Sequence, residues 1–116
     1  MTRAIEGEVD KSSLQRLQAW YAGQCNGAWE HDCGVKIETI DDPGWCVRVG
    51  LRGTPLHARD FQELERLHAG AEWVHCRVRN GCFEGYGGPM MLDEIVAIFF
   101  SWADSSTERP ASSLQA

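Results

Sequence analysis

Val35–Leu51 reads VKIETIDDPGWCVRVGL. Apolar and polar residues alternate on either side of a break at Asp41-Asp42-Pro43-Gly44, the pattern of two strands joined by a tight turn. In the first strand, about Val35 to Ile40, the side chains of Val35, Ile37 and Thr39 point one way and those of Lys36, Glu38 and Ile40 the other. In the second, Trp45 to Leu51, the residues Trp45, Val47, Val49 and Leu51 share a face, with Cys46, Arg48 and Gly50 opposite. Pro43 presets φ and Gly44 tolerates positive φ, so Asp42–Trp45 fits a type II turn, or else a longer loop that includes Asp41.

Upstream, Ser12 with Gln15 predicts a capped helix over Ser13 to Gln24, with Leu14, Leu17 and Tyr21 on its apolar face and Gly23 and Gly27 around its end. Residues 1–11 read as a flexible leader. Cys25–Gly34 reads as a loop in which Trp29 sits among Glu30, His31 and Asp32. Trp29 there has two readings, an anchor for a partner or a plug over the core.

Downstream, Asp60 and Glu63 suggest a capping pair for a short helix, Phe61 to His68, ended by Gly70. Trp73 to Arg79 alternates as a third strand, with Val74, Cys76 and Val78 inward and Trp73, His75, Arg77 and Arg79 on a more exposed, basic face. Asn80-Gly81 predicts a type I′ hairpin returning through Cys82 to Tyr86. Gly87-Gly88-Pro89 opens a last helix with Pro89 at its first position, and Met91, Leu92, Ile95, Val96, Phe99, Phe100 and Trp102 form its apolar stripe. From Asp104 the sequence reads as a flexible tail. The expectation is one α+β domain over residues 12–103, a mainly antiparallel sheet of about four strands with the N- and C-terminal helices packed on it.

Composition sets outer limits. A chain of 116 residues holds one ordinary domain, and 43% apolar residues supply a core. The net charge of −6 disfavours nonspecific attraction to nucleic acid or an anionic membrane and suits a basic protein partner. The N-terminal residues lack the apolar core of a signal peptide, and the apolar run Ile95–Phe100 is too short to span a bilayer, so a cytoplasmic location is expected. Five cysteines without an export signal read as reduced thiols.

No cofactor motif is present, and no catalytic residue stands out. Metal ligation by Cys25, His31 and Cys33, or by His75, Cys76 and Cys82, lacks the paired spacing of a zinc site. Cys76-Arg77 begins like a rhodanese cysteine loop, but alternation turns Cys76 into the core of a strand. Asp41 and Asp42 are adjacent on a turn, which suits architecture better than acid–base work.

Taken in order, five segments form a recognisable series: LQAWY at Leu17–Tyr21, WEHDCGVKIETIDDPGW at Trp29–Trp45, EWVHCRV at Glu72–Val78, FEGYGGP at Phe83–Pro89 and LDEIVAIFFSW at Leu92–Trp102. Residues 14 to 103 thereby resemble the immunity protein 53 family of bacterial polymorphic toxin systems. The matching positions are Trp20, Trp29, Glu30, Gly34, Asp42, Pro43, Gly44, Trp45, Trp73, Gly85 and Gly88, whereas Cys33, Cys46 and Cys82 fall outside the pattern. The resemblance implies a small cytoplasmic antitoxin that binds a cognate toxin domain stoichiometrically, without turnover. A generic regulatory binding domain and a small thiol enzyme are the alternatives. Trp29, Glu30, His31 and Asp32, with Asp41 and Asp42, are the expected partner-binding residues, an aromatic anchor within an acidic rim.

Overall fold

A computed structural model describes residues 12–67 and 72–113, with side chains through residue 104. The expected leader, together with His68 and Gly70, lies outside the described residues. Helix α1, Ser13–Gln24, starts on the predicted capping box: Gln15 N–H donates to Ser12 Oγ at 3.1 Å, and Ser12 N–H donates to Gln15 Oε1 at 3.0 Å. Leu17 is buried on its inner face, but Leu14 and Tyr21, expected beside it, remain exposed.

The expected loop that follows contains a one-turn helix, α2, Trp29–Asp32. Local hydrogen bonds make it. Asn26 Oδ1 accepts from the N–H groups of Ala28 and Trp29, and Glu30 reaches back to those of Asn26 and Gly27.

Five antiparallel strands follow: β1 Val35–Ile40, β2 Gly44–Gly50, β3 Leu64–Leu67, β4 Trp73–Arg79 and β5 Cys82–Gly87. Their spatial order is β1-β2-β5-β4-β3, two hairpins joined by the pairing of β2 with β5. The first hairpin closes on Ile40 opposite Gly44, leaving Asp41-Asp42-Pro43 as the loop. The type II expectation is corrected here. The Asp42–Pro43 peptide is cis, and Gly44 is a strand residue without positive φ. Gly44 is required for another reason, because a Cβ there would strike the carbonyl oxygen of Gly87. The second hairpin turns as predicted, with Asn80 and Gly81 at φ 55° and 73°.

Two further expectations change. Phe61 to Leu67 is no helix. Phe61 inserts its ring against Phe83 and Trp102, at 5.7 and 5.1 Å between centroids, and Leu64–Leu67 pairs with β4 as a fifth strand. So short a helix is marginal in isolation, and the sheet edge offers a full row of hydrogen bonds instead. Pro89 is also not the first residue of the last helix. It lies in a turn that the Trp45 indole N–H holds through the Pro89 carbonyl at 2.9 Å, and α3 runs Leu92–Ser113, continuing past Asp104 where the sequence reads as a tail.

Helices α1 and α3 cover one face of the sheet. Beneath them lie Val47, Val49, Val74, Cys76 and Phe83, all essentially inaccessible, packed on Leu17, Ile95, Val96 and Phe99. Phe99 is the hub, with its ring 5.2 Å from Trp20, 5.1 Å from Phe83 and 5.0 Å from Phe100. An Arg16–Asp104 ion pair of 2.7 Å ties the two helices at the surface.

Candidate functional site

Period-two alternation assigns every second strand residue to the face away from the helices. Three strands in register place Cys46, Tyr86 and His75 in one row and Arg48, Glu84 and Arg77 in the next. Trp73 with Leu67 stands at one end, and Cys82 with Arg79 at the other. No described helix packs on this face, and Trp73, His75, Arg77 and Tyr86 are half-buried there.

Its charged groups hold one another. Glu84, with a side chain only 13% exposed, accepts a 2.9 Å hydrogen bond from Arg77 Nε, and Arg79 lies 4.0 Å away. That bond to Glu84 raises the Arg77 guanidinium above its ordinary value. The Arg77 guanidinium also sits 5.9 Å from the centre of the Tyr86 ring. Arg48 pairs with Glu38 on β1 at 3.0 Å, and His75 Nε2 meets Glu63 at 2.6 Å. Aromatic rings and guanidinium groups are therefore fixed before any partner arrives, which lowers the entropy cost of binding through them.

The residues expected to bind a partner fall into two separate groups. Trp29 is 4% exposed. Its indole N–H donates to the Gly50 carbonyl at 3.0 Å, and its ring packs on Trp20 and Tyr21. That position is the plug of the two readings. Glu30 spends both carboxylate oxygens on loop N–H groups, and backbone donors, its own and that of Asn26 foremost, hold its carboxyl below the usual range. His31 and Asp32 are exposed. Asp41 and Asp42 are exposed as well, but at the opposite end of the hairpin, separated by the length of β1, about 20 Å for six residues. Asp32 lines a cleft with Lys36, Arg48, Arg52, Cys33 and Cys82, and so borders the open sheet face at that end.

Burial works against Cys46, Cys76 and Cys82 as nucleophiles. Cys76 faces the core, where burial pushes its thiol up to about 12, and burial raises Cys46 and Cys82 too. A nucleophilic cysteine needs the opposite shift. Cys76 also points away from His75 and Cys82, and among the described residues no three candidate side chains are grouped to hold a metal ion.

The open face thus presents aromatic and guanidinium groups held in place by their own neighbours. The family profile of immunity protein 53 matches residues 14–104. The chain belongs to the immunity protein 53 family. Immunity proteins of this bacterial family are non-catalytic, and toxin neutralisation is the function that membership brings, with a cognate toxin as partner. No curated protein and no solved structure matches the chain. Within the family match lie both hairpins, α1 from its second residue onward and the apolar part of α3, the frame that presents the open sheet face. Among the described residues no helix is long and apolar enough to cross a membrane.

The open face was half visible in the sequence, since alternation in β4 already separates Trp73, His75, Arg77 and Arg79 from the core. Arg48, Glu84 and Tyr86 were missed as neighbours. The signal that would have found them is the order β2-β5-β4, which local pattern does not contain.

Proposed function

We propose that this protein neutralises its toxin by direct stoichiometric binding through the open face of the sheet. The observation that carries the reading is the Arg77–Glu84–Tyr86 cluster, a preorganised set of the residue types that dominate binding energy at protein interfaces. Arg48 and Trp73 extend it toward β1 and β3. Asp32, beside His31, at one end, and Asp41 and Asp42 at the other, form the acidic rim, while Trp29 supports the rim from beneath. The acidic total favours a basic toxin, and the binding site on that toxin is expected to be blocked by occlusion. The protein acts in the cytoplasm and engages neither nucleic acid nor membrane.

The test begins with co-purification of the neighbouring gene products and rescue of growth when the toxin is expressed. Titration calorimetry with that toxin then compares variants. Tyr86→Ala and Arg77→Ala are expected to weaken binding roughly thirtyfold or more each. Reversing Asp41 and Asp42 to lysine is expected to slow association and flatten its salt dependence. Unchanged affinity in the Tyr86 and Arg77 variants would reject the open face as the interface, and unchanged association after the Asp41 and Asp42 reversal would reject the acidic rim.

A further inference from the structure

Strand β1 is an edge of the sheet, and its outer side pairs with no described strand. Six residues run without a bulge or proline, in unbroken register with β2. Lys36 to Thr39 are exposed, with Ile37 at 37%. The free N–H and C=O groups of such an edge are a template for another strand, which natural sheets guard with charges, bulges or cover; β1 has no bulge, and its two charges, Lys36 and Glu38, are of opposite sign.

The parity of the hydrogen bonds tells which residues face outward. Gly50 N–H donates to the Gly34 carbonyl, so Gly34 directs its backbone groups toward β2. In an antiparallel ladder alternate residues do the same. Lys36, Glu38 and Ile40 therefore bond inward, and Val35, Ile37 and Thr39 offer their N–H and C=O groups to the outside.

We infer that the occupant of this edge is a second copy of the same chain, its β1 antiparallel to the first about a twofold axis at Ile37. In that register Ile37 pairs with its own copy, and Val35 pairs with Thr39 on each side. All outward backbone groups of the three residues are then satisfied. Lys36 stands opposite Glu38 of the other copy, twice, on the open face. The neighbouring symmetric registers that keep the same parity are worse: centring on Lys36 opposes two lysines, and centring on Glu38 opposes two glutamates. The sequence is thus self-complementary in one register and repulsive in the two beside it, the property an isologous interface needs.

A second feature supports the same occupant. On the covered face, Leu14, Leu17, Gln18, Tyr21 and Val35 line a groove beside this edge, and Ile37 shares that face with Val47. Leu14 at 59% and Tyr21 at 40% exposure are the apolar residues that α1 fails to bury in the monomer. A twofold through Ile37 brings two such grooves together along the new ten-stranded sheet. The open faces of both copies stay on one side and free.

The test is the mass of the 116-residue protein by sedimentation equilibrium over a concentration series. A dimer, twice 13.0 kDa, is expected for the unaltered chain. Lys36→Glu alone opposes two glutamate pairs and Glu38→Lys alone opposes two lysine pairs, so each is expected to weaken dimerisation roughly tenfold or more. The double variant K36E/E38K restores the opposite-charge pairs and is expected to restore the dimer. Both substituted positions, Lys36 and Glu38, are exposed, and circular dichroism checks that each variant remains folded. A monomer at every concentration overturns the inference, as does a dimer insensitive to the single changes or not rescued by the double. Hydrogen exchange at Ile37 and Thr39 that slows only in the toxin complex would also overturn it, assigning the edge to the toxin instead.

Discussion

Gly85 sets the distance between the sheet and α3. It lies in the middle of β5, opposite Val47 on one side and Cys76 on the other. A Cβ there would collide with Ile95 Cγ2 and approach Phe83 Cε2 at 3.2 Å and Cys76 Sγ at 3.4 Å. Ordinarily Gly→Ala in a strand gains about 0.5–1 kcal/mol by restricting the unfolded chain. Here Phe83, Ile95 and Cys76 are each completely buried, so none has free space to move into. Overpacking of this kind costs about 1–3 kcal/mol, and Gly85→Ala is expected to destabilise by about 1–2 kcal/mol net. Ile95→Ala removes the colliding methyl at a cost of its own, about 2–5 kcal/mol. In that background the Gly85→Ala methyl enters vacated volume and should cost nothing or stabilise. Urea unfolding followed by tryptophan fluorescence, run as a double-mutant cycle, measures the coupling, expected at about 1 kcal/mol or more in favour of the double variant. Additivity of the two substitutions would refute the close approach as the reason for glycine at this position.

Trp29→Phe keeps an aromatic ring but removes the donor to the Gly50 carbonyl; a loss of about 1–2 kcal/mol is expected from the hydrogen bond and the smaller ring, read as a lowered melting temperature. A side chain serving only a partner would leave the melting temperature unchanged. The Cys76 thiol also predicts an alkaline limit. Its ordinary value is 9.0 and burial raises it to about 12 in the fold, so the unfolded chain ionises first. The contribution to stability is complete below pH 9 and is lost as pH rises from 9 toward 12, with Cys46 and Cys82 acting in the same direction. Urea midpoints should fall between pH 8 and pH 10, less steeply in Cys76→Ala, and thiol labelling of the native protein at pH 8 should reach exposed Cys25 well before Cys76.

Where side-chain alternation or a capping group decides an element, the sequence alone was enough. The capping box of α1, the Asn80-Gly81 turn and the limits of β4 follow from residues that make their interactions locally. Strand β3 did not, because Leu64-Glu65-Arg66-Leu67 has no β-branched residue and owes its conformation to β4. The start of α3 shifted for a similar reason. Pro89 suits a first helical turn, but its carbonyl is held by Trp45, distant in sequence. At the candidate site the same division holds. The exposure of the β4 residues was legible, but the company of Arg77 depends on β5 lying between β2 and β4. Trp29 and the Asp41-Asp42 turn looked like neighbours because one motif contains both, whereas β1 stands between them at full length.

The charge of the whole chain and the charge of the open face point in different directions, and the two bear on different steps of binding. The net −6 acts on an approaching partner from every side, but it is screened within about 8 Å at physiological salt. Once surfaces meet, only local groups count. On the open face Lys36, Arg48, Arg77 and Arg79 stand against Glu38, Glu65 and Glu84, a mixed surface with no acidic excess. Each buried or half-buried arginine there already has its carboxylate, Arg77 with Glu84 and Arg48 with Glu38. A partner therefore gains little by presenting one sign of charge to the centre and gains more from stacking on Tyr86, Trp73 and the planar guanidinium groups. The exposed acids at Asp32, Asp41 and Asp42 remain where a field can act, at the ends of the sheet and in water. On the proposed binding mode, this division gives encounter rate to the acidic rim and residence time to the aromatic and guanidinium centre.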